Sequence, residues 1–220
     1  MSTLKNGNTS FYKLDTSSKD VVGGFNGTDT NVTYDDTSAS FNGTSSSILF
    51  GTASTNSYIQ NTGIFTISIF VNRASATTGY FLGNTIYLGP DKGYLFGTIA
   101  DGRVFVGVFN GPSWLYLIAN GNIPVSTNTE THLLFSADGS NLNCYVNNVF
   151  SFSVARNSSN STGDATRAAT IGQAAGYNTD RFNGRIRNLG FWNRVVTAQE
   201  RTLLYNGYTP VQSNFFPFFQ

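Results

Sequence analysis

Two glutamates (Glu130 and Glu200), one histidine (His132) and one cysteine (Cys144) are nearly all the strongly reactive side chains that this 220-residue chain offers besides its aspartates. Glycoside hydrolysis needs two carboxyl groups flanking the scissile bond, roughly 5–9.5 Å apart. Glu130 precedes an extended segment and Glu200 sits in a helix-start pattern, so their spacing brings no such pair together, and no Asp pair is suggested either. A nucleophilic triad needs a base, and the only imidazole lies in the apolar run THLLFS. Cys144 falls on an inward hairpin position, where a thiol acts as a small core residue. Zinc is excluded by ligand count. These residues point away from an enzyme.

Recognition of sugars asks for something else: aromatic rings beside Asn and Asp side chains and loop backbone. Three stretches offer it. FNGPSWLY carries Trp114 and Tyr116 next to a Gly-Pro turn, GYNTD carries Tyr177, Asn178 and Asp180, and Asn84 stands near Tyr87. Each stretch also reads as ordinary packing of a β protein.

The composition must supply the elements that hold such residues. Thirty-two aromatic residues (19 Phe, 11 Tyr, 2 Trp) give bulk for one continuous core, while 11% of residues are charged. Twenty-three glycines with many Asn, Ser and Thr supply turns and uncharged polar faces. A net charge of +1 argues against a nucleic-acid partner, which needs a basic surface, and none is expected. Charge is segregated, however. Asp15, Asp20, Asp29, Asp35 and Asp36 lie in the first forty residues, and Arg181, Arg185, Arg187, Arg194 and Arg201 in the last forty. The simplest reading is that the two ends of the chain lie side by side.

A lone cysteine allows no internal disulfide. No run reaches the ~18 apolar residues of a membrane helix, so no membrane insertion is expected. The start, MSTLKNGNTSFYKL, has no apolar core of a secretion signal. The expected location is therefore a virion or extracellular surface, reached after synthesis in the cytoplasm without that signal. The six Asn-x-Ser/Thr triplets are then by-products of composition.

Alternation with period two dominates the chain. IFTISIFV sets Ile67, Ile69 and Val71 on one face against Thr66 and Ser68, with Phe70 marking the second face as partly covered. RVFVGVF alternates Val104, Val106 and Val108 with Phe105, Gly107 and Phe109, a strand packed on both sides. NLNCYVNNVFSFSVA reads as a hairpin turning at Asn147-Asn148. Further strands are expected at Phe11–Leu14, Ser46–Phe50, Tyr80–Leu82, Thr85–Leu88, Tyr94–Ile99, Trp114–Ala119, His132–Ser136, Ala168–Ile171 and Arg185–Trp192. One helix is clear: Thr197 and Glu200 form a capping box, Leu203 and Leu204 its apolar side, and Gly207 its stop. The fold class is all-β, a two-sheet antiparallel sandwich with one short C-terminal helix.

FNGTSSSI, FTISIFV, LLFSADGSNLNCYVNNV and above all IGQAAGYNTDRFNGRIRNLGFWNRVVTAQERTLLYNG resemble the laminin-G-like, concanavalin-A-like jelly-roll family over roughly residues 11–208. In that family a glycine-bearing strand ends in aromatic-Asn-Arg and leads into a short helix with a Thr/Ser-x-x-Glu start. Here these are Trp192, Asn193, Arg194 and Thr197 to Glu200. The resemblance implies a jelly roll with its first and last strands adjacent, Trp192 in the core and Arg194 bonded locally. Residues 1–10 are expected as an N-terminal extension, 11–209 as the domain and 210–220 as an apolar tail.

Relatives with catalytic sites carry two glutamates close together on one strand, a pattern missing here. Many relatives hold calcium through an opening-loop Asp and a closing-strand acid. The matching positions are Asp20 and Asn188, one charge short. The expectation is no cofactor, with calcium there left open. Phe215, Phe216, Phe218 and Phe219, around Pro217, suit assembly with other copies or a larger protein shell. The functional expectation is a non-catalytic binding module for a glycan or host-surface polysaccharide. A purely structural decoration subunit is the alternative, and a degenerate glycoside hydrolase the third reading.

Overall fold

In the computed structural model, residues 4–85, 92–110, 113–118, 123–157, 165–175 and 179–210 are described. They form two antiparallel sheets. In chain order the strands are β1 (Asn8–Tyr12), β2 (Thr28–Thr30), β3 (Thr33–Tyr34), β4 (Ala39–Asn42) and β5 (Ser47–Phe50), then the helix α1 (Tyr58–Asn61). They continue as β6 (Ile64–Arg73), β7 (Gly79–Gly83), β8 (Gly93–Thr98), β9 (Val104–Asn110) and β10 (Ser113–Ile118). The last are β11 (Thr131–Asp138), β12 (Asn141–Val146), β13 (Val149–Ala155), β14 (Ala169–Ile171), β15 (Asn183–Trp192) and the helix α2 (Ala198–Tyr205). One sheet runs β13-β12-β11-β6-β15-β4-β3, with β1 also paired to β15. The other runs β10-β9-β8-β7-β14-β5-β2.

Period-two alternation decides which side chains meet between the sheets. Ile67, Ile69 and Val71 of β6 join Val104, Val106 and Val108 of β9 in one core with Phe81, Phe96, Phe135 and Phe191. The hairpin β12–β13 turns through Asn147 (φ 49°) and Asn148 (φ 64°), left-handed conformations that Asn tolerates. The first and last strands pair, Phe11 opposite Gly190 and Tyr12 opposite Leu189. Arg185 reaches Asp35 at 2.8 Å, so the two oppositely charged ends do lie side by side.

The outer side of β6 is covered, as Phe70 indicated. Thr66 Oγ1 donates to Arg194 O (2.8 Å) and Ser68 Oγ meets His132 Nε2 (2.9 Å). The cover is α2 and its approach. Thr197 Oγ1 accepts from Glu200 N (3.2 Å) while Glu200 Oε2 accepts from Thr197 N (2.8 Å), completing the capping box. Arg194 grips Glu200 through two bonds of 2.8 and 2.7 Å. Gly207 closes the helix at φ 81°, where a Cβ would be strained.

Three details differ from the sequence reading. Residues 4–10 are no loose extension: β1 begins at Asn8, and Leu4 is buried with Phe11, Trp192 and Leu204. Trp192 Nε1 donates to Leu4 O (2.7 Å) and Arg194 Nε to Asn6 O (2.7 Å), bonds between distant positions that no local pattern announces. The four-residue α1 was not foreseen, because so short a helix shows no periodicity. The strand expected at Thr85–Leu88 lies mostly outside the described residues, and Thr85 itself is not in a strand. Among the described residues no helix is long and apolar enough to cross a membrane.

Candidate functional site

The outward positions of β7, β8 and β9 carry a second apolar cluster, separate from the inter-sheet core: Tyr80, Leu95, Phe105 and Phe109. Glycines give these rings room to lie on the sheet. A Cβ on Gly107 would stand 2.5 Å from Phe109 Cζ, and one on Gly97 2.8 Å from Tyr80 Cδ1. Tyr80 and Phe105 meet edge to face with centroids 5.6 Å apart. Trp114 of β10 pairs directly with Phe109. Its side therefore continues the row, and it is 40% exposed where Phe109 is 2%. From β10 to β7 the row crosses three strand spacings, about 14 Å.

The sequence candidates divide sharply. Trp114 stands at the exposed end of this row. Tyr116, two residues on, does not join it. A register shift between Trp114 and Tyr116 turns Tyr116 into the core, fully buried, where its hydroxyl donates to Gly63 O (3.2 Å). A covered ring offers no face to a ligand. Asn84 is fully buried as well, and its Oδ1 accepts from Tyr94 N (2.7 Å), which fixes the chain beside Gly93. Asp180, at φ 54°, accepts through its backbone O from Tyr80 N (2.9 Å), at the opposite end of the row from Trp114. Tyr87, Tyr177 and Asn178 lie outside the described residues, as do Phe215, Phe216, Phe218 and Phe219. The sequence reading missed Tyr80, Phe105 and Phe109. The signal was FVGVF, where glycine between two outward rings marks a face on which rings lie flat.

Asp20 and Asn188, the positions singled out for calcium, are both held by their own backbone surroundings. Asp20 is buried, its Oδ1 accepts from Phe11 N (2.9 Å), Val22 N (3.0 Å) and Gly23 N (3.0 Å), and its Oδ2 from Phe25 N (3.2 Å). Its lone pairs organise the loop and leave little for a cation. Asn188, at φ 49°, instead donates its backbone N–H to Lys13 O (2.9 Å) at the irregularity of β15. Among the described residues no group of three or more His, Cys, Asp or Glu side chains could hold a metal.

The reactive side chains are each engaged. Glu130 accepts two bonds from Arg187 (2.8 and 2.6 Å), which hold its carboxyl below the usual carboxylate range. Glu200 is bound to Arg194 and caps α2. Burial, aided by the Arg187 charge, drops the His132 pKa to about 3 and keeps the ring neutral. Its contact with Ser68 Oγ has no third member among the described residues, where Nδ1 finds no hydrogen-bond partner, and Ser68 is itself buried. Burial pushes the Cys144 thiol far up, away from thiolate reactivity.

A family profile for the concanavalin A-like lectin/glucanases superfamily matches residues 26–200. The chain belongs to this superfamily. Among solved structures, domain 4 of AbnA, an extracellular arabinanase of family GH43 from Geobacillus stearothermophilus in complex with arabinotriose, is 21% identical with a TM-score of 0.69. The match covers 90% of this chain and 98% of that one. The botulinum neurotoxin serotype D binding domain is 13% identical (TM-score 0.68), with 93% of this chain and 51% of that one covered. The binding domain of Paraclostridial Mosquitocidal Protein 1 is 19% identical (TM-score 0.67), with 93% and 53% covered. This chain thus spans nearly the whole of the first and about half the length of the other two. No curated protein matches the sequence. At these identities the likeness to these structures extends to the fold alone.

Proposed function

We propose that this superfamily member is a non-catalytic glycan-binding module whose saccharide contact is Trp114, at the exposed end of the row that Phe109, Phe105 and Tyr80 form on the outer side of the seven-stranded sheet. The observation that carries this reading is Trp114. It is one large ring left 40% exposed at the end of a row that is otherwise buried. Sugar faces stack on such rings, and the flat seat provided by glycines keeps neighbouring rings from obstructing them. The arabinotriose in the similar arabinanase domain lends support to a saccharide as ligand. Pairing of both glutamates with arginines supports a role without hydrolysis. A glycan array followed by calorimetry tests the reading. Binding should fall at least tenfold in Trp114→Ala, and the release of reducing sugar from any polysaccharide that binds would overturn the non-catalytic part.

The proposed setting is the surface of a virion or appendage, with the apolar segment from Phe215 to Phe219 seated in other copies or a larger shell. Deleting Phe215–Gln220 should then lower the assembly size seen by light scattering. An unchanged size would rule out that role for the tail.

A further inference from the structure

The face covered by α2 has an opening at one end. Where the helix runs out at Tyr205, the sheet below is left as a groove of about 510 Å³. It is lined by Phe70 of β6, Glu130 and His132 at the start of β11, Asn147 of the hairpin turn, Arg187 of β15 and Tyr205. A second hollow of about 580 Å³ shares Arg187 with it and continues toward Lys13 and Asn188. None of these residues belongs to the ring row on the other sheet.

The chemistry of the groove is polar but balanced. Arg187 lies over the Phe70 ring at 4.0 Å and holds Glu130 through two parallel bonds, so both planar groups are fixed and their charges cancel. An ionised ligand would have to displace one partner of this half-exposed pair before it met any net opposite charge. A neutral hydroxyl would not. A carboxylate has about four acceptor sites and a guanidinium five N–H donors, more than their two mutual bonds consume. Neighbouring hydroxyls can therefore donate to one plane and accept from the other. Tyr205, 39% exposed, stands beside His132 with ring centroids 5.9 Å apart. Under it His132, 1% exposed, bonds Ser68 through Nε2 and leaves Nδ1 without a partner among the described residues, a buried polar atom that folded domains normally satisfy.

We infer that this groove is a second ligand site, taking a neutral saccharide whose vicinal hydroxyls bridge the Arg187–Glu130 edge while a sugar ring lies on Tyr205. The inference rests on the glycan-binding reading and deepens it. The module becomes bivalent, with sites on opposite faces, so one chain can join two glycan strands or gain avidity on a dense one.

The test is a titration of the isotope-labelled full chain with arabinotriose, xylotriose, mannotriose and maltotriose, following backbone amide signals. Two sets of signals should move with separate saturation curves, one around Trp114 and Phe109 and one around Glu130, Asn147, Arg187 and Tyr205. Tyr205→Ala should weaken the second set about tenfold and leave the first unchanged, and Tyr205→Phe should retain both. If Tyr205→Ala fails to fold, Glu130→Gln on the exposed rim should give the same selective loss. Movement of the Trp114 set alone would remove the second site and leave glycan binding standing. Loss of groove shifts in Trp114→Ala would reduce the two sites to one and so overturn the second site as well. Silence of both sets with all four sugars would overturn both readings.

Discussion

On the eight-stranded sheet, the outward side around Trp192 is spent on the protein itself. The indole donates to Leu4 O, Arg194 binds Glu200 and Asn6 O, and Thr66 accepts from Val196 N. On the seven-stranded sheet, the outward side of β7–β9 holds rings seated over glycines and ends in the half-open Trp114. Each face contains one of the chain's two tryptophans, and the surroundings give them opposite jobs. A buried indole with its N–H satisfied works as mortar. An indole left 40% exposed at the end of a ring row presents part of its surface outward. The contrast shows that ring type says little, and that how far the rest of the chain covers the ring says more.

The sharpest way to break the comparison is Trp192→Ala. Emptying a fully buried site and orphaning Leu4 O should cost about 3–5 kcal/mol, read as a large fall in melting temperature. Gly107→Val comes next. Its added atoms meet the Phe109 ring, so a loss of about 1–3 kcal/mol is expected, together with weaker saccharide binding and an undisturbed α2. Trp114→Ala should change chemical-denaturation stability by under ~1 kcal/mol while weakening saccharide binding at the ring row at least tenfold; a loss as large as that of Trp192→Ala would erase the distinction between the faces. The smallest effect concerns acid. Hydrogen bonds from the Thr37 hydroxyl first, then from the Ser38 and Thr37 amides, with Arg185 adding its charge, hold Asp35 at about 2, below its ordinary 3.8. Because the folded value is the lower one, its contribution to stability is complete above about pH 4 and disappears as pH falls through 2. A carboxyl carbon titration should show this, with Arg185→Ala raising the midpoint only slightly.

The sealed face was the legible one because its signals are local. Thr197 and Glu200 are three residues apart, Gly207 follows the last turn, and the Asn147-Asn148 turn sits between alternating runs. The ring row was only partly visible. FVGVF shows its central strand, but Tyr80 arrives from another strand and its neighbourhood depends on sheet order. Tyr116 was misplaced because a register shift reverses the side on which a residue lands, and nothing in SWLY marks that shift. Residues 4–7 were read as an extension because their partners, Trp192 and Arg194, lie 188 positions away. Asp20 is a candidate ligand only by its place in the family pattern, whereas its oxygens answer to four amides brought round by the loop.

The placement of β15 bears on how such a chain is made. This strand sits between β6 on one side and β4 with β1 on the other, so it is the only bridge joining those parts of the sheet among the described strands. A ribosome releases it after every other strand. Until then the growing polypeptide holds two unfinished ribbons with open edges and must close long loops late, conditions that slow folding and invite aggregation. Production yield should therefore respond to anything that shields those edges during synthesis, chaperones and lowered temperature foremost.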